Sequence, residues 1–296
     1  GSGTHSIESR VAPRPFLTQP IWSGIDAAKK EALMIIIGEK LNSSIPRTLS
    51  ALDNDNEQEL ITLIQKQEQA GADYLDVNTA LCRGGELEKL QWVVSLICEN
   101  SSCGIALDSP SPAVIATVSK TISGRSLMLN SVTLAERIDE LGPLAAELGC
   151  AIVGLPIDSA AMPATPEKRV ENAEKLVEKL TGYGVSPANI FIDILAETIS
   201  VNSENGRTAL ETIRQMKKAL PSVQTTCGLS NISFGLPNRI EINCAFLSAA
   251  LYVGLDSAIL DPSSPRIRAA LAAANALTGN DEYCMDYITA MRELQP

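Results

Sequence analysis

The stretch CGLSNISFGLPNR, residues 227–239, packs hydrogen-bonding groups into a segment whose one charge is Arg239. It follows a short apolar, β-prone run and precedes a helical one. Asn231 neither titrates near neutral pH nor attacks carbon readily, so any chemistry it does is that of a placed amide, donating and accepting hydrogen bonds. Polar residues of the same kinds close the other β-prone runs: Glu39 and Asn42, Asp76 and Asn78, Asp108 and Ser109, Asn130 and Ser131, Asp158, Asp193, Ser230, and Asp261. Lys40 is the only lysine directly among them, and there is no histidine. Carboxylates and amides in this number support two chemistries. They can hold Mg²⁺. They can also take a flat, uncharged heterocycle whose adjacent N–H groups donate in parallel to one carboxylate. A plainer reading is helix capping, common for Asp and Asn at strand-to-helix junctions. Every junction carrying such a residue weighs against capping alone.

The elements that must position these residues read clearly. From Met34 onward, β-like runs alternate with amphipathic helical ones: MIIIG at 34, DYLDV at 73, GIALD at 104, SLMLN at 126, AIVGL at 151, IFIDI at 190, VQTTC at 223 and DSAIL at 256. NEQELITLIQKQEQAG shows Leu60, Ile61 and Ile64 at helical spacing and stops on Gly71. Thr165-Pro166 is a good cap and first-turn pair for a helix carrying Val170, Leu176, Val177 and Leu180. SPRIRAALAAANAL repeats that opening near the end, before a final helix from about Asp281. Eight strand–helix units predict an α/β chain folded as a single-domain (β/α)8 TIM barrel, with residues 34–296 forming the barrel and its C-terminal helix. No Gly-x-Gly-x-x-Gly fingerprint follows a strand, which weakens the rival doubly wound sheet. A flat ring with an amide-like N–H beside an amino group, such as a pterin, matches the Asp and Asn set at such a barrel mouth.

Bulk properties narrow the classes. The chain has 296 residues, 45% of them hydrophobic, enough for a sizeable core. A net charge of −11 argues against a nucleic-acid partner. No apolar run reaches the roughly 18 residues of a membrane helix. Seven cysteines without CxxC spacing read as reduced thiols, mostly small buried side chains, in a cytoplasmic protein. Residues 1–33 are Pro-rich and loop-like, and read as an artificial leader or N-terminal extension before a natural start at Met34. The single histidine, His5, falls within that segment, which leaves the barrel without the commonest general base and transition-metal ligand.

GEKLNSS, DYLDVNTA, ALDSP, MLNSV, FIDIL and GLSNISFGLPNR, in this order and each at a strand end, resemble the pterin-binding methyltransferases from Met34 to about Asp286. These barrel enzymes move a methyl group between tetrahydrofolate and a corrinoid. The dihydropteroate synthases share the barrel and the pterin pocket, but the lysine and arginine set they use for a phosphate leaving group has no equivalent here. The resemblance implies roles for particular residues. Asp193 would accept hydrogen bonds from the pterin amino group and ring N–H. Asn130 and Asp108 would contact the ring's other polar edge. Asn231 would lie near N5, the nitrogen that exchanges the methyl. Gly228 and Ser230 would belong to the same binding loop, Gly228 allowing close backbone approach, and Arg239 would close it. A neutral amide at Asn231 serves both the neutral and the cationic state of N5, where a carboxylate would hold the cation; the competing role is an Asx turn. Phe234 departs from the family pattern, in which a polar residue follows the Asn by three. Its ring implies either a lost polar contact near N5 or an apolar wall toward the corrinoid.

Two absences sharpen the expectation. No Cys/His cluster is present of the kind that activates a thiol acceptor through zinc, and no metal site is expected. The Asp-x-His-x-x-Gly loop of corrinoid-binding domains is also missing. Tetrahydrofolate is therefore the expected substrate. Cobalamin is expected on a separate corrinoid protein that docks transiently, as in O-demethylase or betaine-demethylation systems. A homodimer is implied, with no nucleic-acid or membrane partner. The favoured direction forms methyltetrahydrofolate. The alternatives are the reverse transfer, an Mg²⁺-dependent barrel lyase, and a non-catalytic folate-binding module.

Overall fold

The computed structural model describes residues 34–159 and 161–294, so the leader assigned to residues 1–33 lies outside the described residues. Strands and helices alternate. They run β1 (Ile35–Asn42), α1 (Pro46–Asp53), α2 (Glu57–Gln69), β2 (Tyr74–Asn78), α3 (Glu86–Asn100), β3 (Gly104–Asp108), α4 (Pro112–Ser119), β4 (Leu127–Thr133), α5 (Ile138–Leu148), β5 (Ala151–Leu155) and α6 (Pro166–Gly182). The second part continues with β6 (Ile190–Asp193), α7 (Asn205–Ala219), β7 (Gln224–Thr226), α8 (Arg239–Tyr252), β8 (Ser257–Leu260), α9 (Pro265–Leu277) and α10 (Met285–Leu294). All eight expected β runs form strands, and the final helix is preceded by a short 3-10 turn at Glu282–Cys284.

The strands pair in parallel in the order β7-β6-β5-β4-β3-β2-β1-β8. The ring is closed more lightly between β7 and β8. There a single bridge joins Gly228 and Ile259, and the Ile259 N–H donates to the Cys227 carbonyl at 2.8 Å. Asp256 adds side-chain bonds across this seam, accepting from the Thr225 N–H and hydroxyl at 2.8 Å each. The chain is thus a (β/α)8 barrel in one domain. Among the described residues no helix is long and apolar enough to cross a membrane.

The period-two alternation of strand side chains divides the core in two. Ile36, Ile105, Leu107, Leu127, Leu129, Ile152, Ile190 and Ile192 face outward into the larger core beneath the helices. Ile37, Ala106, Met128, Ala151, Val153 and Phe191 form a separate cluster inside the barrel, with Ile35, Tyr74, Leu155 and Ile259 against it. This inner cluster is a packed plug, as expected where side chains fill the interior of a closed barrel. Whatever stands two residues further along each strand points inward just above it.

Local sequence explains the helices that brace the barrel. Thr165 accepts from the Lys168 N–H at 3.3 Å and Pro166 opens α6. Ser264 and Pro265 do the same for α9, although that cap bond is longer at 3.5 Å. The buried stripe of α6 is Arg169, Asn172, Ala173, Leu176 and Leu180, with Val170 and Val177 half-buried at its edge against the same core. Gln67, fully buried on α2, accepts from the Lys40 N–H at 2.9 Å. Its Oε1 would stand 2.5 Å from a Cβ at residue 38, which is why the chain has Gly38 there.

Candidate active site

The layer above the plug is polar. Stepping two residues from Ile37, Tyr74, Ala106, Met128 and Phe191 gives Glu39, Asp76, Asp108, Asn130 and Asp193, all at the C-terminal end of the barrel where such folds keep their chemistry. Gly228 and Asp261 stand at the matching positions beyond β7 and β8. Strand pairing places Asp108 and Asn130 side by side in register. The Asn130 amide donates to Asp76 Oδ1 at 3.1 Å. The Asn78 amide donates to Asp108 Oδ2 at 2.9 Å and accepts from the Ser43 hydroxyl at 2.9 Å. These bonds tie β2 to β4 through Asp76 and Asn130, and β2 to β3 through Asn78 and Asp108. Lys40 is paired with Asp261 at 2.9 Å.

Burial governs the electrostatics of this layer. It pushes the Asp193 carboxyl up to about 6, against the opposing pull of the Leu195 N–H and the nearby Arg169 charge. Asp76 is raised well above the usual carboxylate range, first by burial and then by the charge of Asp108. Burial also raises Asp108 and Glu39. Carboxylates held in so little water are poised to gain from N–H donors brought in by a ligand.

Asp193 sits on a turn fixed from behind. Its Oδ1 accepts from the Leu195 N–H at 2.7 Å, and Leu195 adopts a left-handed φ of 57°. Such a φ in a Leu is held by surrounding structure. Arg169, 1% exposed, does the holding: its Nη1 donates to the Ile194 and Leu195 carbonyls at 3.0 and 2.8 Å. Its Nε donates to the Pro163 carbonyl at 2.9 Å, and Nη2 meets Glu197 at 2.6 Å. Arg169 escaped sequence reasoning, and its signal was a charged residue in phase with an apolar helical stripe. Asp76 and Asn78 stood among the strand-end residues, but only their hydrogen bonds to Asn130 and Asp108 show that they brace the site.

The loop after β7 forms its own unit. Residues Leu229–Ser233 make a 3-10 turn. Arg239 donates to the Ser230 carbonyl at 2.6 Å and to the Ser233 hydroxyl at 3.1 Å, so its guanidinium is committed to the loop. Ser230 is half-buried and Asn231 exposed at the mouth. A Cβ at residue 228 would meet the Asn231 amide nitrogen at 3.0 Å, so Gly228 leaves room for that amide. Among the described residues no protein group hydrogen-bonds the Asn231 side chain, which leaves the amide available and argues against an Asx turn. The structure thus brings Asp108 and Asn130 together directly. Asp193 and the Gly228–Arg239 loop lie on neighbouring strands β6 and β7, where Asp193 pairs in register with Thr226.

Residues 39–261 match the sequence model of the pterin binding enzymes. The chain belongs to that family. It is 34% identical over 262 residues to the methylcorrinoid:tetrahydrofolate methyltransferase of Eubacterium limosum, covering 88% of this chain and 97% of that protein. It is 33% identical over 270 residues to the methionine synthase of Mycobacterium tuberculosis, covering 86% of this chain and 22% of that much longer protein. Among solved structures, the barrel is similar to a dihydropteroate synthase from Coxiella burnetii in complex with pteroic acid. That match has a TM-score of 0.63 and 16% identity, and covers 84% of this chain and 95% of the other. This last likeness is one of fold. The family membership agrees with the resemblance carried by the strand-end motifs.

Proposed function

We propose that this family member is a methyltransferase that takes a methyl group from a methylcorrinoid, carried on a separate protein, and places it on N5 of tetrahydrofolate. The observation that carries this reading is a carboxylate and amide layer, Asp108, Asn130 and Asp193, held by hydrogen bonds at the C-terminal end of the barrel, together with a neutral amide, Asn231, that has no protein hydrogen-bond partner among the described residues, on the exposed loop after β7. The layer suits the N–H edge of a pterin. Asp193 accepts from adjacent donors, Asn130 and Asp108 meet the other polar edge, and Gly228 and Ser230 flank the ring. Arg239 acts through the loop it clamps. A methylcorrinoid supplies the methyl while its cobalt keeps the bonding electron pair. N5 gains the carbon and releases a proton. Asn231 faces N5 in both states without fixing a charge on it.

A separate corrinoid carrier is supported by the sequence, which has no Asp-x-His-x-x-Gly loop and whose one histidine is His5. The name of the E. limosum relative supports the direction toward tetrahydrofolate. A cytoplasmic homodimer belongs to the same proposal, and light scattering after size exclusion tests the dimer. The deciding experiment is calorimetric titration with tetrahydrofolate, followed by single-turnover transfer from methylcobalamin and, in reverse, from methyltetrahydrofolate to cob(I)alamin. The reading requires binding and measurable transfer. Binding without transfer in either direction would leave only a folate-binding module.

A further inference from the structure

Phe234 is 67% exposed, and its backbone is held on both sides. Its N–H donates to the Asn231 carbonyl at 3.2 Å. Its own carbonyl accepts from the hydroxyls of Thr198 and Ser200 at 2.6 and 2.9 Å. The Arg239 guanidinium lies against the ring, 5.7 Å from its centroid. One face of the ring is therefore backed by a cation that is itself bonded to the loop, and the rest is presented to solvent. Beside it opens a cavity of about 280 Å³ lined by Glu197, Thr198, Val201, Asn205, Asn231 and Phe234. Val201 is 83% exposed on that border. An exposed aromatic on a backbone fixed by hydrogen bonds, with an exposed apolar residue lining the same cavity, costs less to order on docking than one on a free loop, a property of interface anchors.

Resting on the transfer reading above, we propose that Phe234 and Val201 form the wall against which the corrin macrocycle seats, making Phe234 a specificity residue for the methyl donor. Three observations select that occupant. The cavity is continuous with Asn231, so a flat group seated in it lies next to the nitrogen that receives the methyl. The side chains lining it are apolar, hydroxyl or amide apart from Glu197, whose carboxylate is engaged by Arg169. That lining matches a macrocycle with an apolar face and a rim of neutral amides. The same lining contains no cation, which disfavours the anionic glutamate tail of a folate as its occupant.

The test compares wild type with Phe234→Ala, Phe234→Gln and Phe234→Leu, all at an exposed position where thermal stability should be kept. Tetrahydrofolate binding is measured by calorimetry, methylcobalamin binding by its visible spectrum without folate, and transfer by single turnover. The Ala and Gln variants should lower the second-order rate with methylcobalamin about tenfold or more and weaken methylcobalamin binding in parallel. Folate affinity should stay within about twofold, and the Leu variant should recover part of the loss. Unchanged transfer and methylcobalamin binding would overturn the proposal. So would a loss confined to folate affinity, which would give the wall to the folate's aminobenzoyl ring. If wild type fails to bind tetrahydrofolate but its methylcobalamin binding depends on Phe234, the wall stands and the transfer reading falls.

Discussion

A carboxylate that must accept two N–H bonds from a neutral ring is best buried, and Asp193 is pushed up to about 6 by burial. If Asp193 anchors the pterin as proposed, its ionised form is the binding form, so pterin affinity should be full above about pH 6 and lost as pH falls through it. Tetrahydrofolate affinity should drop about tenfold per unit below pH 6. Asp193→Ala should remove this dependence and weaken affinity at neutral pH by about ten- to a hundredfold, the worth of charge-assisted hydrogen bonds. Calorimetry across pH reads both effects. In the free protein the sign for stability is opposite. A raised folded pKa means the native state holds the proton more tightly than the unfolded chain, so this residue costs stability as pH rises from about 4 to about 6. Asn231 differs in kind. In the proposed role its contact changes as the methyl moves, so Asn231→Ala should slow single-turnover transfer about tenfold or more while changing folate affinity much less. Equal small effects would assign Asn231 to the loop alone.

At the scale of elements, Arg169 ties helix α6 to the turn after β6. It satisfies three carbonyls and one carboxylate from a position 1% exposed. Arg169→Met keeps much of the volume but leaves those carbonyls and Glu197 without their donor. We expect a stability loss of about 3 kcal/mol, read as a lower urea midpoint with unchanged slope. Because the same bonds hold Leu195 in its left-handed conformation, folate affinity should also fall in the refolded variant. A variant with normal affinity would show that the turn holds Asp193 without α6.

At the scale of the whole molecule, the face around the mouth carries exposed apolar groups on separate loops. Leu81 follows β2, Met162 follows β5, Val201 follows β6 and Phe234 follows β7. Apolar side chains spread around a polar mouth suit a partner protein that must dock weakly and leave with its cofactor. Leu81→Asp and Met162→Asp should reduce transfer from a protein-bound methylcorrinoid about fivefold or more. Folate binding and transfer from free methylcobalamin should be spared, since the free cofactor needs less of that surface. Loss of activity with both donors would mean that these loops shape the pocket.

The strand count, the barrel and the identity of the inward polar residues were legible in the chain. Each strand carries its own period-two phase, so the position of Asp108 above Ala106, or Asp193 above Phe191, follows from counting by two once the apolar residues are assigned to a face. The family resemblance was legible for the same reason, because its motifs sit at those strand ends. Contacts between elements distant in sequence were not legible. The chain gives no sign that Asn78 would bond Asp108 or Asn130 bond Asp76, because those bonds depend on the register of neighbouring strands. Arg169 went unread in the sequence, and only the packing of α6 shows that it lies on the buried face of that helix. Ser43 reads as a polar loop residue, yet it is 1% exposed because β1 runs on to Asn42 and delivers its hydroxyl to Asn78. Local periodicity sets which face a side chain takes, and only tertiary packing decides which partner it meets there and how much water remains around it.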